Sequence, residues 1–381
     1  AALGTASFGQ TTLTAIPGEA AAAKYASISQ EILRAIEKGN EYLKSKQNPE
    51  GYWAQPSYPA LTALAVTAYM RDPANQGKPV PEYIRKGYDF ILKSQKEDGS
   101  IFNRGMSSYN TAVCMMALLA ANKEEYAPAI LKGRAYLIKQ QNHFAPDNPY
   151  NGGIGYGDKQ APPIADLSNT SLALEAIYYS QKLAKDGKYG EQPDLDWNAA
   201  TEFINRCQQN PAVNKEPWVS NDKSQLGGFV YRPGVSSARD KKAAAFDKAE
   251  PPKAYGSMTY AGMQSLIYAN VDKNDPRVKL ALKWLENSYS LDENPGMGVQ
   301  GLYYYYQAMS KALSAMGIDT LTLENGRKVD WRDELANKLI SIQKSDGSWV
   351  NTNNRWWEAD PVLVTSYCVL ALEQLYHSIP R

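Results

Sequence analysis

The sequence predicts an all-α protein with an (α/α)6 toroid, a double ring of six helical hairpins. Two observations predict this fold. A motif that contains glutamine and glycine recurs along the 381 residues, and each copy lies between an amphipathic helix pattern and a more apolar one. Because a helix that is apolar on all sides is buried from several directions, the apolar helices should form an inner wall. The amphipathic helices should then form the outer wall.

The repeated motif reads Gln-x-x-Asp/Glu-Gly and ends on an apolar or aromatic residue. Its clear copies are 47–53, 95–101 and 343–349. Looser copies run from Gln141 to the glycines at 152–155 and from Gln208 to those at 227–228, and a degenerate sixth spans 288–298. Glycine reaches backbone angles that other residues avoid, so each copy is predicted to be the turn from an outer to an inner helix.

Helices are predicted on both sides of every motif. Apolar residues recur at spacings of three and four in the upstream segments, as in Ile84, Tyr88 and Ile91. The predicted outer helices are 29–46, 81–95, 128–141, 197–209, 276–289 and 331–343. The predicted inner helices are 61–70, 111–121, 170–179, 260–269, 304–316 and 365–375.

One closed ring should span most of the chain, although the length alone would suggest two or three domains. The predicted toroid domain covers 27–381, and 1–26 is interpreted as an N-terminal extension that is not part of the ring. The extension is rich in Ala, Thr and Gly and has no apolar h-region. A tail left after signal-peptide removal and a cloning boundary both fit it, so a secreted or periplasmic location stays open.

Composition excludes several classes of protein. Lys and Arg total 41 against 40 Asp and Glu, a balance that argues against a nucleic-acid-binding protein. No apolar run reaches the roughly 18 residues of a transmembrane helix. With 3 Cys and 2 His, the chain has too few of these residues to favour a disulfide framework or a histidine-based zinc site. No cofactor is expected. The 26 Tyr against 7 Phe indicate rings whose polar edge meets water, a protein group or a ligand.

A central pocket follows from the predicted geometry. The N-termini of the inner helices should meet at one end of the ring and direct their positive dipole ends into a cavity. The candidate ligand-binding residues near these helix starts are Asn110, Ser168, Asn169, Tyr231, Arg232, Tyr260, Tyr303, Tyr304, Arg355, Trp356 and Trp357. For each, a structural interpretation stays open: capping for the Ser and Asn residues, core packing for the rings and surface exposure for Arg232.

Three carboxylates are the candidate catalytic residues. Asp166 and Asp360 precede inner helices, so helix capping is an alternative role for both. Glu358 follows two tryptophans, and an apolar setting would raise its pKa and suit a general acid. An ion pair with Arg355 would instead lower the pKa of Glu358.

The repeats resemble those of squalene-hopene and oxidosqualene cyclases, and also those of protein prenyltransferase β subunits. Both families share the (α/α)6 toroid, and the resemblance covers about residues 27–376. It implies that squalene-type chemistry would need an Asp-x-Asp-Asp motif whose central Asp protonates an alkene. The matching segment here is 166–169, where Asp166 is kept but Ser168 stands at the proton-donating position and Asn169 at the third. Serine is not a strong acid, so this protonation is not expected.

The prenyltransferase resemblance implies a zinc site built from Asp, Cys and His. Gln300, Leu302 and Val364 occupy those positions, so the protein is predicted to be zinc-independent. The preferred function is binding or transformation of an isoprenoid or another small hydrophobic molecule. Two alternatives stay open: a secreted glycan-active or glycan-binding toroid, which the tyrosine bias would suit, and a non-catalytic scaffold that binds a protein partner.

Overall fold

In a computed structural model of the chain, residues 19–157, 164–238 and 251–379 are described. This part contains twelve α-helices and one short two-stranded ribbon. The helices are α1 Glu19–Ser45, α2 Pro59–Arg71, α3 Glu82–Lys93, α4 Ser107–Ala120, α5 Ala127–Lys139, α6 Leu167–Lys185, α7 Trp197–Cys207, α8 Gly256–Tyr268, α9 Pro276–Asn287, α10 Leu302–Met316, α11 Trp331–Ser341 and α12 Pro361–Ser378. Strands β1 Leu321–Thr322 and β2 Lys328–Val329 pair antiparallel, with Leu321 opposite Val329.

The even-numbered helices form a closed inner ring. Each packs against the next from α2 to α12, and α12 packs back against α2. The odd-numbered helices lie outside: α3 packs on α2, α5 on α4 and α6, α7 and α9 on α8, and α1 and α11 on α12. The all-α toroid predicted from the repeats is therefore confirmed, and each of the twelve predicted helices has its counterpart.

Burial differs between the two walls as the apolar patterns predict. Helix α2 is buried continuously from Pro59 to Ala68, and α12 from Val362 to Leu372. The outer helix α3 buries one stripe, which contains Ile84, Tyr88 and Ile91. An amphipathic helix such as α3 buries only its apolar face and exposes the other face to solvent. A helix that is apolar on all sides, such as α2, is enclosed by its neighbours.

The motif glutamines make the same pair of hydrogen bonds in five copies. Each side-chain amide donates to the carbonyl of the motif glycine and to a backbone carbonyl of the next outer helix or its cap. In the first copy, Gln47 Nε2 lies 3.0 Å from the Gly51 oxygen and 2.7 Å from the Tyr83 oxygen. The other copies join Gln95 to Gly99 and Ala129, Gln141 to Gly152 and Asp196, Gln208 to Gly227 and Arg277, and Gln343 to Gly347 and Ala35. The last copy ties the final turn to α1 and closes the outer ring.

The motif glycine is required for two reasons. Gly99 has φ +90°, a left-handed conformation that side chains rarely adopt. A Cβ there would also lie 2.2 Å from the carbonyl oxygen of Lys132 on the next outer helix. The equivalent glycines Gly51, Gly152, Gly227 and Gly347 have φ between +82° and +97° and the same close approach.

In five inner helices, a threonine hydroxyl accepts a hydrogen bond from the backbone amide of an apolar or aromatic residue at the end of the preceding turn. The amide of Trp53 donates to Thr62 Oγ1 at 3.0 Å, and the amide of Trp349 donates to Thr365 Oγ1 at 3.1 Å. The other pairs are Ile101 with Thr111, Ile154 with Thr170, and Phe229 with Thr259. Because each threonine lies in the first turns of its helix, this bond sets where the inner helices begin.

The first helix is longer than its pattern indicated. Helix α1 begins at Glu19, so it reaches into residues that the sequence assigns to the N-terminal extension. Residues 1–18 lie outside the described part, and the proposed division of the chain at residue 27 stays a prediction.

Two further observations concern membranes and thiols. Within the described ranges, no helix is long and apolar enough to cross a lipid bilayer.

Cys114, Cys207 and Cys368 are all buried free thiols, as expected from their apolar helical surroundings.

Replacing Gln208 by Ala should destabilise the ring. Gln208 is 1% exposed, and the change removes the donor from the Gly227 and Arg277 carbonyls. We expect a loss of about 1–3 kcal/mol, seen as a lower midpoint of thermal unfolding. The exposed Gln76 gives a matched control, since Gln76→Ala should leave the midpoint unchanged. Equal midpoints for the two variants would show that the glutamine bonds do not hold the ring together.

Candidate functional site

The N-terminal ends of the inner helices surround a cavity of about 360 Å³. Its lining residues are Leu61, Met106, Tyr109, Tyr156, Ser168, Asn169, Leu172, Tyr231, Tyr255, Ser257, Met258, Tyr304, Trp356, Trp357, Glu358, Leu363 and Tyr367. All six inner helices contribute at least one of these side chains or the residue just before the helix. The volume of the cavity falls within the roughly 300–1,000 Å³ of small-molecule sites.

The lining is strongly aromatic. It contains six tyrosines and two tryptophans, whereas none of the lining residues is a phenylalanine. Trp356 and Trp357 lie in the short turn before α12 and are 45% and 39% exposed, so they form the outer edge of the cavity. The Trp357 ring packs 4.7 Å from the Tyr58 ring, measured between centroids. Such faces attract alkenes, hydrocarbon surfaces and cations.

Polar and apolar lining groups are unevenly distributed around the ring. The side formed by α2 and α12 contributes Leu61 and Leu363, with Trp357 next to them, and also the polar groups of Tyr367 and Glu358. Most polar groups lie on the other side, near the starts of α6 and α8, beside the apolar Leu172 and Met258. They are Tyr156, Ser168, Asn169, Tyr231, Tyr255 and Ser257. Both kinds of group therefore face the cavity, and the polar ones are concentrated near α6 and α8.

Asp166 lies just behind this polar side. It is the N-cap of α6, where its Oδ1 accepts from the Asn169 amide and its Oδ2 accepts from Asn169 Nδ2, both at 2.8 Å. Burial raises the pKa of Asp166 to about 6, while hydrogen bonds from Asn169 and Tyr231 and the charge of Arg232 act to lower it. Asp166 is not among the lining residues, but its partners Asn169 and Tyr231 are.

Glu358 lines the cavity and caps a different helix. Its Oε1 accepts from the Tyr304 amide at 2.8 Å, and its Oε2 accepts from Asn351 Nδ2 at 2.7 Å. Helix α10 has Gly301 at its N-cap, so it has no capping side chain of its own and Glu358 supplies one. Burial raises the pKa of Glu358, and the hydrogen bonds from α10 and Asn351 counteract that rise. This geometry favours a structural role over that of a general acid.

Arg355 stacks on an indole ring beside the cavity. Its guanidinium carbon lies 4.4 Å from the Trp356 ring centroid, and Nη1 donates to Gln300 Oε1. The expected ion pair of Arg355 with Glu358 is not among the ion pairs of the described part. The side chain of Glu358 is bonded to Asn351 and α10 instead, so Arg355 supports the position of Trp356.

Several other candidates lie outside the lining. Asp360 caps α12 through the Val362 amide at 2.8 Å and borders a smaller cavity of about 220 Å³ next to Trp357. Asn110 Oδ1 accepts from the Ala60 amide at 3.0 Å and joins α4 to α2. The Tyr303 hydroxyl donates to Val350 at 3.2 Å. Tyr260 is fully buried against Tyr305, and Arg232 lies near Asp166. The candidates that the cavity does bring together are Ser168, Asn169, Tyr231, Tyr304, Trp356, Trp357 and Glu358.

Sequence reasoning missed several lining residues as ligand contacts. They include Leu61, Leu172, Leu363 and Tyr367. A usable signal existed for Leu363 and Tyr367, because they are four residues apart in the first turns of α12 and share one helix face. Selecting that face on every inner helix would have found them.

Polar pairs join inner helices that are not neighbours in the ring. Near the cavity, Tyr109 of α4 interacts with Tyr367 of α12, and Ser168 of α6 interacts with Tyr304 of α10. One helical turn beyond Leu172, Glu175 accepts from Lys311 Nζ of α10 at 2.5 Å. These contacts cross the interior of the ring, since each joins helices that have another inner helix between them.

A metal centre has no obvious ligands in the described ranges. No group of three or more His, Cys, Asp or Glu side chains there could hold a metal ion. The chemistry of the lining is instead that of hydroxyls, one amide, one carboxyl group and aromatic faces.

Comparison with known proteins supports the fold. No family model matches the sequence. Type II terpene cyclase MstE from Scytonema, in its apo form, superposes with a TM-score of 0.53 and 11% identity over 92% of this chain and 99% of that chain. An arginine-to-alanine variant of MstE in complex with geranylgeranyl dihydroxybenzoate, its substrate, gives 0.53 and 10% over the same shares. A variant with merosterolic acid A, its product, gives 0.52 and 10%. The resemblance to terpenoid cyclases is thus confirmed at the level of the fold.

The ionisation of Asp166 should appear in the pH dependence of stability. Its folded pKa of about 6 lies above the ordinary aspartate pKa of 3.8, so the folded state holds the proton more tightly than the unfolded state. The stability contributed by protonated Asp166 is present below about pH 4 and is lost as the pH rises through 6. Asp166→Asn removes this titration. The unfolding free energy of the variant minus that of the wild type should therefore rise by up to about 3 kcal/mol between pH 4 and 7. A difference that is flat over this range would contradict the buried position of Asp166.

Glu358→Gln tests the capping role. The amide of Gln has one acceptor oxygen instead of two, so either α10 or Asn351 loses its bond. We expect a loss of about 1–3 kcal/mol in chemical denaturation. Glu324→Gln, on the turn between β1 and β2, is the control and should change little. Unchanged stability of Glu358→Gln would argue against the cap and in favour of a purely chemical role.

Proposed function

We propose that this chain binds an isoprenoid or another largely apolar small molecule in its central cavity. The observation that carries the proposal is the cavity of about 360 Å³ at the inner-helix starts, lined by eight aromatic rings. MstE, whose fold this chain shares, is a type II terpene cyclase that has been captured with a geranylgeranyl-bearing substrate. The likeness in fold makes an isoprenoid the first class of ligand to test.

The proposal does not include alkene protonation by the motif of the squalene cyclases. Ser168 stands at the proton-donating position and lines the cavity, whereas Asp166 is turned to its own helix and to Tyr231. A serine hydroxyl is too weak an acid to protonate an alkene. Zinc-dependent prenyl transfer is not proposed either, since Gln300, Leu302 and Val364 are poor zinc ligands.

The alternatives differ in what they require of the cavity. A glycan site would be expected as an open groove with paired carboxylates. Glu358 and Asp166 are instead each bonded to helix amides. The similar solved structures give glycan binding no support. A protein-binding scaffold needs no ligand in the cavity at all. Binding measurements therefore separate that scaffold from the proposed function.

Native mass spectrometry and fluorescence test ligand binding directly. Trp356 and Trp357 line the cavity, so titration with geranylgeraniol should change the tryptophan emission and saturate at one ligand per chain. Leu172→Trp places a larger ring in the cavity and should weaken binding at least tenfold.

A matched substitution controls for the added tryptophan. Leu226 is exposed outside the lining, so Leu226→Trp should bind as the wild type does. No bound ligand in the mass spectrum and no saturable fluorescence change for the wild type would reject the proposed function and favour the scaffold.

A further inference from the structure

A buried hydrogen-bond acceptor on the polar side of the cavity has no partner. Asn169 lines the cavity and is 3% exposed, and its Oδ1 has no hydrogen-bond partner in the described part of the chain. A buried amide oxygen left unpaired costs about 1–3 kcal/mol. A group that donates a hydrogen bond at this point would remove that cost.

The orientation of the Asn169 amide follows from its neighbours. Nδ2 donates to Asp166 Oδ2 at 2.8 Å, and the backbone amide of Asn169 donates to Asp166 Oδ1. Exchanging the amide oxygen and nitrogen would place two oxygens against each other whenever Asp166 is ionised. The oxygen therefore stays on the side away from Asp166, where it needs an external donor.

The hydroxyls next to Asn169 are already engaged with one another. The Tyr231 and Tyr156 hydroxyls lie 3.4 Å apart, Tyr231 also interacts with Asp166, and Tyr156 interacts with the Asn169 amide. Ser168 interacts separately with Tyr304. Tyr231, Tyr156, Asp166 and Asn169 thus form one polar network, in which Asn169 Oδ1 has no partner in the described part of the chain. A hydroxyl on the ligand would complete the network, whereas an ether oxygen has no hydrogen to donate.

Within the described part of the chain, the opposite side of the cavity has no buried acceptor left without a partner. Leu61 and Leu363 are apolar, and Trp357 presents its ring there. The two polar groups of that side are engaged, since Tyr367 interacts with Tyr109, and Glu358 accepts from α10 and Asn351. A hydrocarbon chain suits that side, and a hydroxyl buried against it would lose its bonds to water without compensation.

We infer that the ligand is a hydroxyl-bearing amphiphile, an isoprenoid alcohol or phenol. Its O–H group donates to Asn169 Oδ1, and its hydrocarbon part lies toward α2 and α12. This inference rests on the proposed function and makes it more specific, because it names the group that the cavity selects.

Matched ligands test the selection. Geranylgeraniol and its methyl ether share the same chain, but only the alcohol can donate. We expect the wild type to bind the alcohol at least about tenfold more tightly than the ether, measured by the same fluorescence titration. Asn169→Leu should abolish this preference while still binding both compounds.

Two further variants keep the test decisive if Asn169→Leu does not fold. Tyr231→Phe removes a hydroxyl of the polar network and should reduce the preference for the alcohol. Tyr367→Phe removes a lining hydroxyl on α12 and should retain the preference.

The outcomes separate the two proposals. Equal affinities of the wild type for alcohol and ether would overturn the selection of a hydroxyl and leave ligand binding intact. Failure of both compounds to bind would overturn the proposed function itself. An alcohol preference that survives in Asn169→Leu and Tyr231→Phe would also reject the assigned position of the hydroxyl.

Discussion

The architecture depends on a single side-chain amide used repeatedly. Each motif glutamine has two N–H groups in a partly or fully buried position, and both must find acceptors. One bonds the glycine of its own turn, and the other bonds the next outer helix, as with Gln95, Gly99 and Ala129. Neighbouring hairpins are therefore held at one spacing around the ring. The glycine has to be that residue, because any Cβ would meet the adjacent backbone.

Ring closure also explains why carboxylates gather at the cavity. Six helix starts meet there, and each has amides without a partner within its own helix. Asp166, Asp360 and Glu358 accept from such amides at α6, α12 and α10. Their presence near the cavity is thus accounted for by capping alone. A carboxylate at this end of a toroid is evidence for chemistry only when it also faces the cavity, and in this chain Glu358 alone among the three lines the main cavity.

The sequence predicts how far along its helix a residue lies from the cavity better than it predicts the direction in which the side chain points. Consecutive residues of a helix point about 100° apart, so Tyr304 lines the cavity while Tyr303 bonds Val350. Nothing in the apolar pattern distinguishes these two tyrosines. The cap of α10 could not be predicted either, because Glu358 lies more than 50 residues beyond the amides it accepts from. Repeats and helix periods are local, whereas these contacts depend on which elements the closed ring brings together.

The tyrosine bias has a physical explanation in the interior of the ring. Phenylalanines at the same positions would have no hydroxyl with which to make polar contacts across the ring. Tyr109 with Tyr367 and Ser168 with Tyr304 make such contacts. The Glu175–Lys311 ion pair does the same one layer further along the axis. Each pair links helices that are not neighbours, so the interior is braced by polar contacts and a cavity remains above them. The same hydroxyls make the cavity more polar than one lined by hydrocarbon side chains.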